Sequence, residues 1–347
     1  MTAVATLGPV TPIALRLPEP TGPHPVGARA LHLVDHARSD PWLPVEQPRE
    51  LMLTLWFPAA APGTRRNGYL TPLESELVLR AGHVVGLPPD VLSTTRTHAY
   101  DDVPVADRTG PLVLLSPGFG KPRAILSGLA EELASHGYLV AGIDHTHESA
   151  ATTFPDGRLA TCLAGNSRRN GAFWEKLVAG RAADASFVLD ELTRDLEPSG
   201  IAMAGHSVGG ASALTAVSAD PRIQAGVNID GTVYPALLEP GLATPFLFMG
   251  RAAQYTRGSG PAADTWETAW ALLTGWKRWY TVRGALHGSF TDIGLLGEQA
   301  GLDAGAALPA DRVSRLTRDH VRAFLDLHLL GKPAPLLESE ELVHAGA

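Results

Sequence analysis

Ser207 has the type and setting of a nucleophile. It sits in Gly205-His206-Ser207-Val208-Gly209, a G-x-S-x-G pattern. The apolar run Ile201–Ala204 before it reads as a buried strand. The small, apolar stretch Ala211–Ser218 after it reads as a helix. A strand, a sharp turn and a helix would project the serine Oγ above a sheet, and flanking glycines permit the close approach such a turn needs. A serine hydroxyl at its ordinary pKa attacks poorly, so it requires a base, and the base an acid that orients it. The chemistry implied is acyl transfer.

In elbows of this kind the chain order is serine, acid, histidine. Four histidines follow Ser207: His287, His320, His328 and His344. His320 and His328 fall in a helical pattern, and His344 lies in a tail expected to fray. His287, in Gly284-Ala-Leu-His-Gly-Ser-Phe290 after an apolar strand, is the expected general base. Three aspartates compete for the acid. Asp230 ends the strand Ala225–Asp230. Asp264 follows the later strand Phe246–Met249, the more usual position for the acid. Asp292 is near His287 in sequence and also reads as a helix or turn cap. An oxyanion needs two backbone N–H donors. Val208 should supply one, and Phe119 in Ser116-Pro-Gly-Phe-Gly120 is the preferred second.

These residues need a scaffold, and the chain supplies its pattern. Ala28–Ala37 and Arg49–Pro58 alternate and predict two antiparallel strands. Thr71 and Pro72 open a helix predicted over 69–87. From residue 111 strands and helices alternate: Leu112–Ser116, a helix over 124–136, Tyr138–Asp144, an excursion over 145–171, a helix over 173–197, then the elbow. Strands follow at 225–230, 245–250 and 279–283, and a last helix over 311–330. Continuous apolar strands covered by helices on both faces give an α/β class with a mostly parallel sheet. The specific expectation is an α/β-hydrolase fold with antiparallel N-terminal strands and lid or cap insertions. The divisions are an irregular segment at 1–27, one domain at 28–335 and a tail at 336–347.

Ser-Pro-Gly-Phe-Gly at 116–120, Gly-His-Ser-Val-Gly-Gly at 205–210, Asn-Ile-Asp-Gly at 228–231 and Gly-Ala-Leu-His-Gly-Ser-Phe at 284–290 resemble the plasma-type platelet-activating-factor acetylhydrolases and their bacterial esterase and lipase relatives. Thr54–Ala59 and Glu131–Val140 are similar too. The resemblance runs from about residue 28 to residue 330. It implies that the acid follows the strand directly after the elbow helix, which favours Asp230, and that Phe119 and Val208 are the oxyanion donors. Pro117 stands where relatives often carry histidine. The implied activity is hydrolysis of short-chain or lipid-like carboxylic esters. The same triad could serve an amidase, a thioesterase, a lactone or polyester hydrolase or a transacylase. A ligand-binding homologue without catalysis belongs to another class.

Composition narrows the partners. The chain has 347 residues, 45% hydrophobic and 18% charged, with net charge −8. It lacks a basic block, so a nucleic-acid partner is not expected, and it lacks an apolar run long enough to span a bilayer, so stable membrane insertion is not expected. Cys162 is the single cysteine and reads as an inert thiol. The N-terminus lacks the basic and apolar regions of a signal peptide, which predicts a cytoplasmic location. No cofactor is expected. Asp144-His145-Thr146-His147 could be taken for metal ligands, but no third ligand has a fitting spacing, so no metal site is assigned and His145 is placed on the pocket rim. Trp266, Trp270, Trp276 and Trp279, with Tyr255 and Tyr280, form either core packing or an aromatic pocket wall. The candidate substrate-contacting residues are Gly118, His206, His145, Trp266 and Trp270.

Overall fold

The computed structural model describes residues 14–238, 240–333 and 338–344. Its strands are β1 (Val26–Ser39), β2 (Pro48–Pro58), β3 (Leu112–Ser116), β4 (Leu139–His145), β5 (Thr152–Thr153), β6 (Leu159–Ala160), β7 (Ile201–His206), β8 (Ala225–Ile229), β9 (Phe246–Arg251), β10 (Lys277–Val282) and β11 (Leu342–His344). Nine of them form one sheet in the order β1-β2-β4-β3-β7-β8-β9-β10-β11. β1, β2 and β4 pair antiparallel, and the strands from β4 to β10 pair parallel. β5 and β6 form a separate hairpin around Phe154–Gly157.

Side-chain alternation explains why the central strands are apolar throughout. Leu112 and Leu114 of β3 point to one face and join Ala185, Val188 and Leu214. Val113 and Leu115 point to the other and join Leu129, Leu133, Val321 and Phe324. The first face is covered by α3 (Gly171–Leu192), α4 (Val208–Ala219) and α6 (Pro261–Leu272). The second is covered by α2 (Ser127–Ser135) and α8 (Ala310–Leu330), the latter ended by Gly331 in the left-handed region (φ 61°).

Some boundaries differ from the sequence reading. α1 (Pro72–Ala81) begins as expected, with Thr71 and Glu74 in a reciprocal capping box, but stops at Gly82. The next residue, His83, turns at φ 54°. The tail expected to fray supplies β11, which pairs antiparallel with β10 and closes the sheet edge. Two short helices, α5 (Ala252–Tyr255) and α7 (Asp292–Gln299), flank the last parallel strands. Residues 14–25 are irregular except for a bridge at Arg16, and residues 1–13 lie outside the described residues.

Glu131 of α2 ties the outer loop at His98 and Ala99 to that helix. Its carboxylate accepts the N–H groups of His98 and Ala99 at 3.0–3.1 Å while 1% exposed. Burial outweighs those bonds and pushes its pKa up to about 7. A carboxyl whose folded pKa lies above its ordinary value favours folding fully below the ordinary value, and that contribution is lost as pH rises through the folded one. Stability should therefore fall between pH ~4.5 and ~7, by at most roughly 3 kcal/mol from this group. Urea unfolding at about pH 5 and about pH 8 should show a smaller difference in Glu131→Gln than in the wild type. Equal differences would contradict the assignment.

Candidate active site

β7 ends at His206 and α4 starts at Val208, so Ser207 makes the whole turn. It does so at φ 57° and ψ −129°, a conformation L-residues rarely adopt. The surroundings hold it there. Its N–H donates to the Ile229 carbonyl of β8 at 2.8 Å, and its carbonyl accepts the N–H groups of Gly210 and Ala211. A Cβ at 209 would stand 2.0 Å from the Ser116 carbonyl oxygen, and one at 205 would stand 2.2 Å from the Gly209 carbonyl carbon. Glycine is thus required at both flanks of the serine. As the first residue of α4, Val208 has an N–H without an intrahelical acceptor.

Asp230 follows β8 at φ 55°, in the left-handed region that aspartate tolerates better than most residues. Its N–H donates to the Met249 carbonyl at 2.8 Å. The next residue, Gly231, is fastened three times: its N–H donates to Asn228 Oδ1 at 2.9 Å, and its carbonyl accepts Asn228 Nδ2–H at 2.9 Å and the Trp266 indole N–H at 2.6 Å. The Asp230 carboxylate is divided between two partners. Oδ1 accepts the Arg251 N–H at 2.7 Å, and Oδ2 lies 2.5 Å from His287 Nδ1. His287 begins a 3₁₀ turn just after β10, and its side chain is 42% exposed whereas that of Asp230 is fully buried. The imidazole is therefore held at one nitrogen and open at the other. Asp264 is exposed in the first turn of α6, and Asp292 is buried against the Gly128 N–H. Of the three candidate acids only Asp230 meets His287.

His206, the residue before Ser207, lies with its ring 4.4 Å from that of His287. Its Nε2 faces the His287 carbonyl at 2.8 Å; a carbonyl only accepts, so Nε2 carries the proton. Burial, then the neighbouring His287, hold the His206 pKa well below the ordinary histidine value. A neutral His206 leaves His287 free of a competing cation. The donor atoms of His206, Asp230 and His287 lie within 4.8 Å of one another, the one cluster of metal-ligand type among the described residues. His206 Nε2, His287 Nδ1 and the Asp230 carboxylate are engaged by the bonds just described, whereas His206 Nδ1 is buried without a hydrogen-bond partner among the described residues.

The turn that holds Phe119 rests on buried charge. Arg181 of α3 donates through Nη1 to the Pro117 carbonyl at 2.5 Å and through Nε to Glu148 Oε2 at 2.6 Å. The Glu148 carbonyl accepts the Gly120 N–H at 2.8 Å. Ser116 Oγ lies 2.9 Å from His145 Nε2, whose Nδ1 lies 2.9 Å from Asp184 Oδ2. Asp184 in turn pairs with Arg49. Burial would raise the Asp184 pKa, but Arg49 and His145 outweigh it and hold the carboxyl far below its usual range. Arg181 thus points the Pro117 carbonyl toward α3 and fixes the peptide planes ahead of Phe119. Arg181→Met should lower kcat about 10²-fold, as expected for small misplacements, with KM nearly unchanged. Steady-state kinetics well below the melting temperature would check this, and Arg181→Lys should recover part of the loss. A rise in KM alone would contradict it.

Three expected substrate contacts need correction. His145 is not on a pocket rim: it is 1% exposed within the network beneath the turn. Asp144, His145 and His147 take different partners, namely Arg123, Asp184 and Asp40. Trp266 is fully buried and stacks on Tyr255 with ring centroids 4.1 Å apart, so it supports the acid loop from behind. Trp270 packs on Phe248 and Trp279 at the first face, and Trp276 meets Phe324 on the opposite face. The tryptophans are core packing, split by the sheet. Gly118 does reach the serine, since a Cβ there would stand 3.3 Å from Ser207 Cβ.

Apart from Phe119, the aromatic residues near the serine are ones the sequence did not single out. Phe173 belongs to one cluster with Val208 and Ala211, against which Phe119, Trp174, Tyr234 and Leu237 pack. Phe119 meets Phe173 and Trp174 edge to face at 5.7 and 5.4 Å. Their separation in sequence hid them. Phe173-Trp174 beside an elbow helix was the available signal.

A family model described as platelet-activating factor acetylhydrolase, isoform II, matches residues 13–160 and 170–300. The chain belongs to this family. Among curated proteins it is 28% identical to a probable 1-alkyl-2-acetylglycerophosphocholine esterase of Arthroderma benhamiae, over 94% of this chain and 91% of that protein. It is 28% identical to the platelet-activating factor acetylhydrolase of Cavia porcellus over 36% of each. Among solved structures, the ferulic acid esterase of Streptomyces cinnamoneus superposes with a TM-score of 0.84 at 37% identity, covering 96% of this chain and all of that one. This acetylhydrolase-family chain is a carboxylic ester hydrolase with the α/β-hydrolase fold. Among its described residues no helix is long and apolar enough to cross a membrane.

Proposed function

We propose that this chain cleaves carboxylic esters through an acyl-enzyme on Ser207, with His287 as general base and Asp230 as its orienting acid. The observation that carries the reading is the pairing of His287 Nδ1 with the buried Asp230 carboxylate at 2.5 Å beside a serine strained into the elbow. With Nδ1–H donating to Asp230, His287 Nε2 is the nitrogen left to take the Ser207 proton. Ser207 Oγ attacks the ester carbonyl, and the Val208 and Phe119 N–H groups stabilise the oxyanion. The imidazolium then gives its proton to the departing alkoxide. Water, deprotonated by His287, attacks the acyl group in the second half of the cycle and frees Ser207.

The apolar residues around Phe119 and Val208 suit an ester with an apolar limb. The names of the relatives, an acetylglycerophosphocholine esterase and a ferulic acid esterase, support lipid-like or aromatic esters as the substrate class. A fluorophosphonate probe tests the reading: covalent label should appear on the tryptic peptide containing Ser207 and be absent from Ser207→Ala. An unlabelled wild-type protein would contradict it.

A further inference from the structure

Next to the Phe119 turn lies an aliphatic cavity of about 180 Å³. An engineered apolar cavity of about 150 Å³ takes up benzene, so this one has room for a chain of several carbons. Its walls include Leu15, Leu70, Leu79, Leu87 and Leu296. Two further wall residues connect it with the residues assigned above. The Lys121 N–H donates to the Gly118 carbonyl at 3.2 Å, and Gly118 lies against Ser207. Ile293 sits on α7, and its Cγ2 lies 3.8 Å from where a Cβ on Gly288 would stand, beside His287.

Lys121 is the one charged side chain among the described residues of this wall. Burial lowers its pKa. Lys121 is half-buried and no carboxylate among the described residues pairs with it, whereas the fully buried guanidiniums Arg49 and Arg181 are paired, with Asp40 and Asp184 and with Glu148. A cation set into an aliphatic wall without a partner is costly, and a bound anion would relieve that cost.

We propose that this cavity is a substrate subsite for an aliphatic chain bearing an anionic group, a carboxylate or a phosphate, that pairs with Lys121. The proposal rests on the Ser207 reading only in taking the occupant to be a limb of the ester. Apolar walls would select the chain, and the ammonium would select the acidic end over a neutral one. The aromatic residues around Phe119, none of which lines this cavity, are left to the other limb.

The probes are octanoate, octyl phosphate and octanol, tested as inhibitors of p-nitrophenyl acetate hydrolysis. In the wild type the anions should inhibit roughly tenfold more strongly than octanol, the effect of one charge-assisted hydrogen bond. Lys121→Met keeps the length and apolar stem of the side chain and should erase that preference. Leu296→Trp should weaken all three by filling the cavity. Preference for octyl phosphate would identify a lipid-type headgroup, and preference for octanoate an acidic chain. Equal inhibition by all three in the wild type, or an anion preference kept in Lys121→Met, would overturn the proposal. A wild-type protein inactive on p-nitrophenyl acetate would instead defeat the Ser207 reading. Calorimetric titration of octanoate into wild type and Lys121→Met would then decide the subsite separately.

Discussion

Ser207→Ala should lower kcat on p-nitrophenyl acetate by roughly 10³-fold or more while leaving the fold intact. The fold should survive because alanine keeps the Cβ, and the bonds that hold the strained turn are made by backbone. Ser207 N–H still reaches Ile229, and its carbonyl still receives Gly210 and Ala211. Only the Oγ is lost. Circular dichroism and a melting curve would check the fold, and steady-state kinetics the loss. Because serine and histidine act together, Ser207→Ala/His287→Ala should be scarcely worse than Ser207→Ala alone. Additive losses would mean that the two residues do not share a step.

Asp230→Asn should cost about 10⁴-fold in kcat, and the reason is a tautomer. Oδ1 of Asp230 is committed to the Arg251 N–H at 2.7 Å. In the asparagine variant the amide oxygen keeps that bond, and the NH₂ is left facing His287 Nδ1. That nitrogen must then accept, so the proton moves to Nε2, where it blocks uptake of the serine proton. Size and packing hardly change, so the melting temperature should move little. Asp264→Asn removes an exposed charge from the first turn of α6, costs less than about 1 kcal/mol, and should leave kcat unaltered. A larger loss in Asp264→Asn than in Asp230→Asn would overturn the assignment of the acid.

What the sequence revealed, and what it hid, follows from the range of the interactions. The elbow was legible because its demands are local. Gly205 and Gly209 are needed within two residues of Ser207, and the strand and helix on either side carry their own periodicity. His287 was legible by exclusion, since three of the four later histidines fell in a helix or the tail. Asp230 was not settled by pattern. Ending a strand gave it a position, but Asp264 had one too, and the resemblance to a family tipped the choice.

The misplaced residues share a cause. His145 follows a strand and looks like a ligand or a rim residue, but its surroundings come from Ser116, Asp184 and, through Asp184, Arg49, on three other elements. No spacing announces a network assembled from residues 49 to 184. The tryptophans were grouped because they are near in sequence, and a sheet separates Trp276 from the rest. The helix predicted over 69–87 carried a good cap at its start; it stops at Gly82, whose N–H bonds back to the Val78 carbonyl, because the chain turns away at His83 with φ 54°. β11 is three residues long, too short for alternation to signal it.

The central claim is that an acyl group resides on Ser207 during turnover. Acid quenching during steady-state hydrolysis of a radiolabelled acetyl ester, followed by digestion and peptide mapping, measures this directly. Label should be found on the peptide containing Ser207, should appear during turnover, and should be absent from Ser207→Ala. Hydrolysis without protein-bound label, or label on any other residue, would contradict the account.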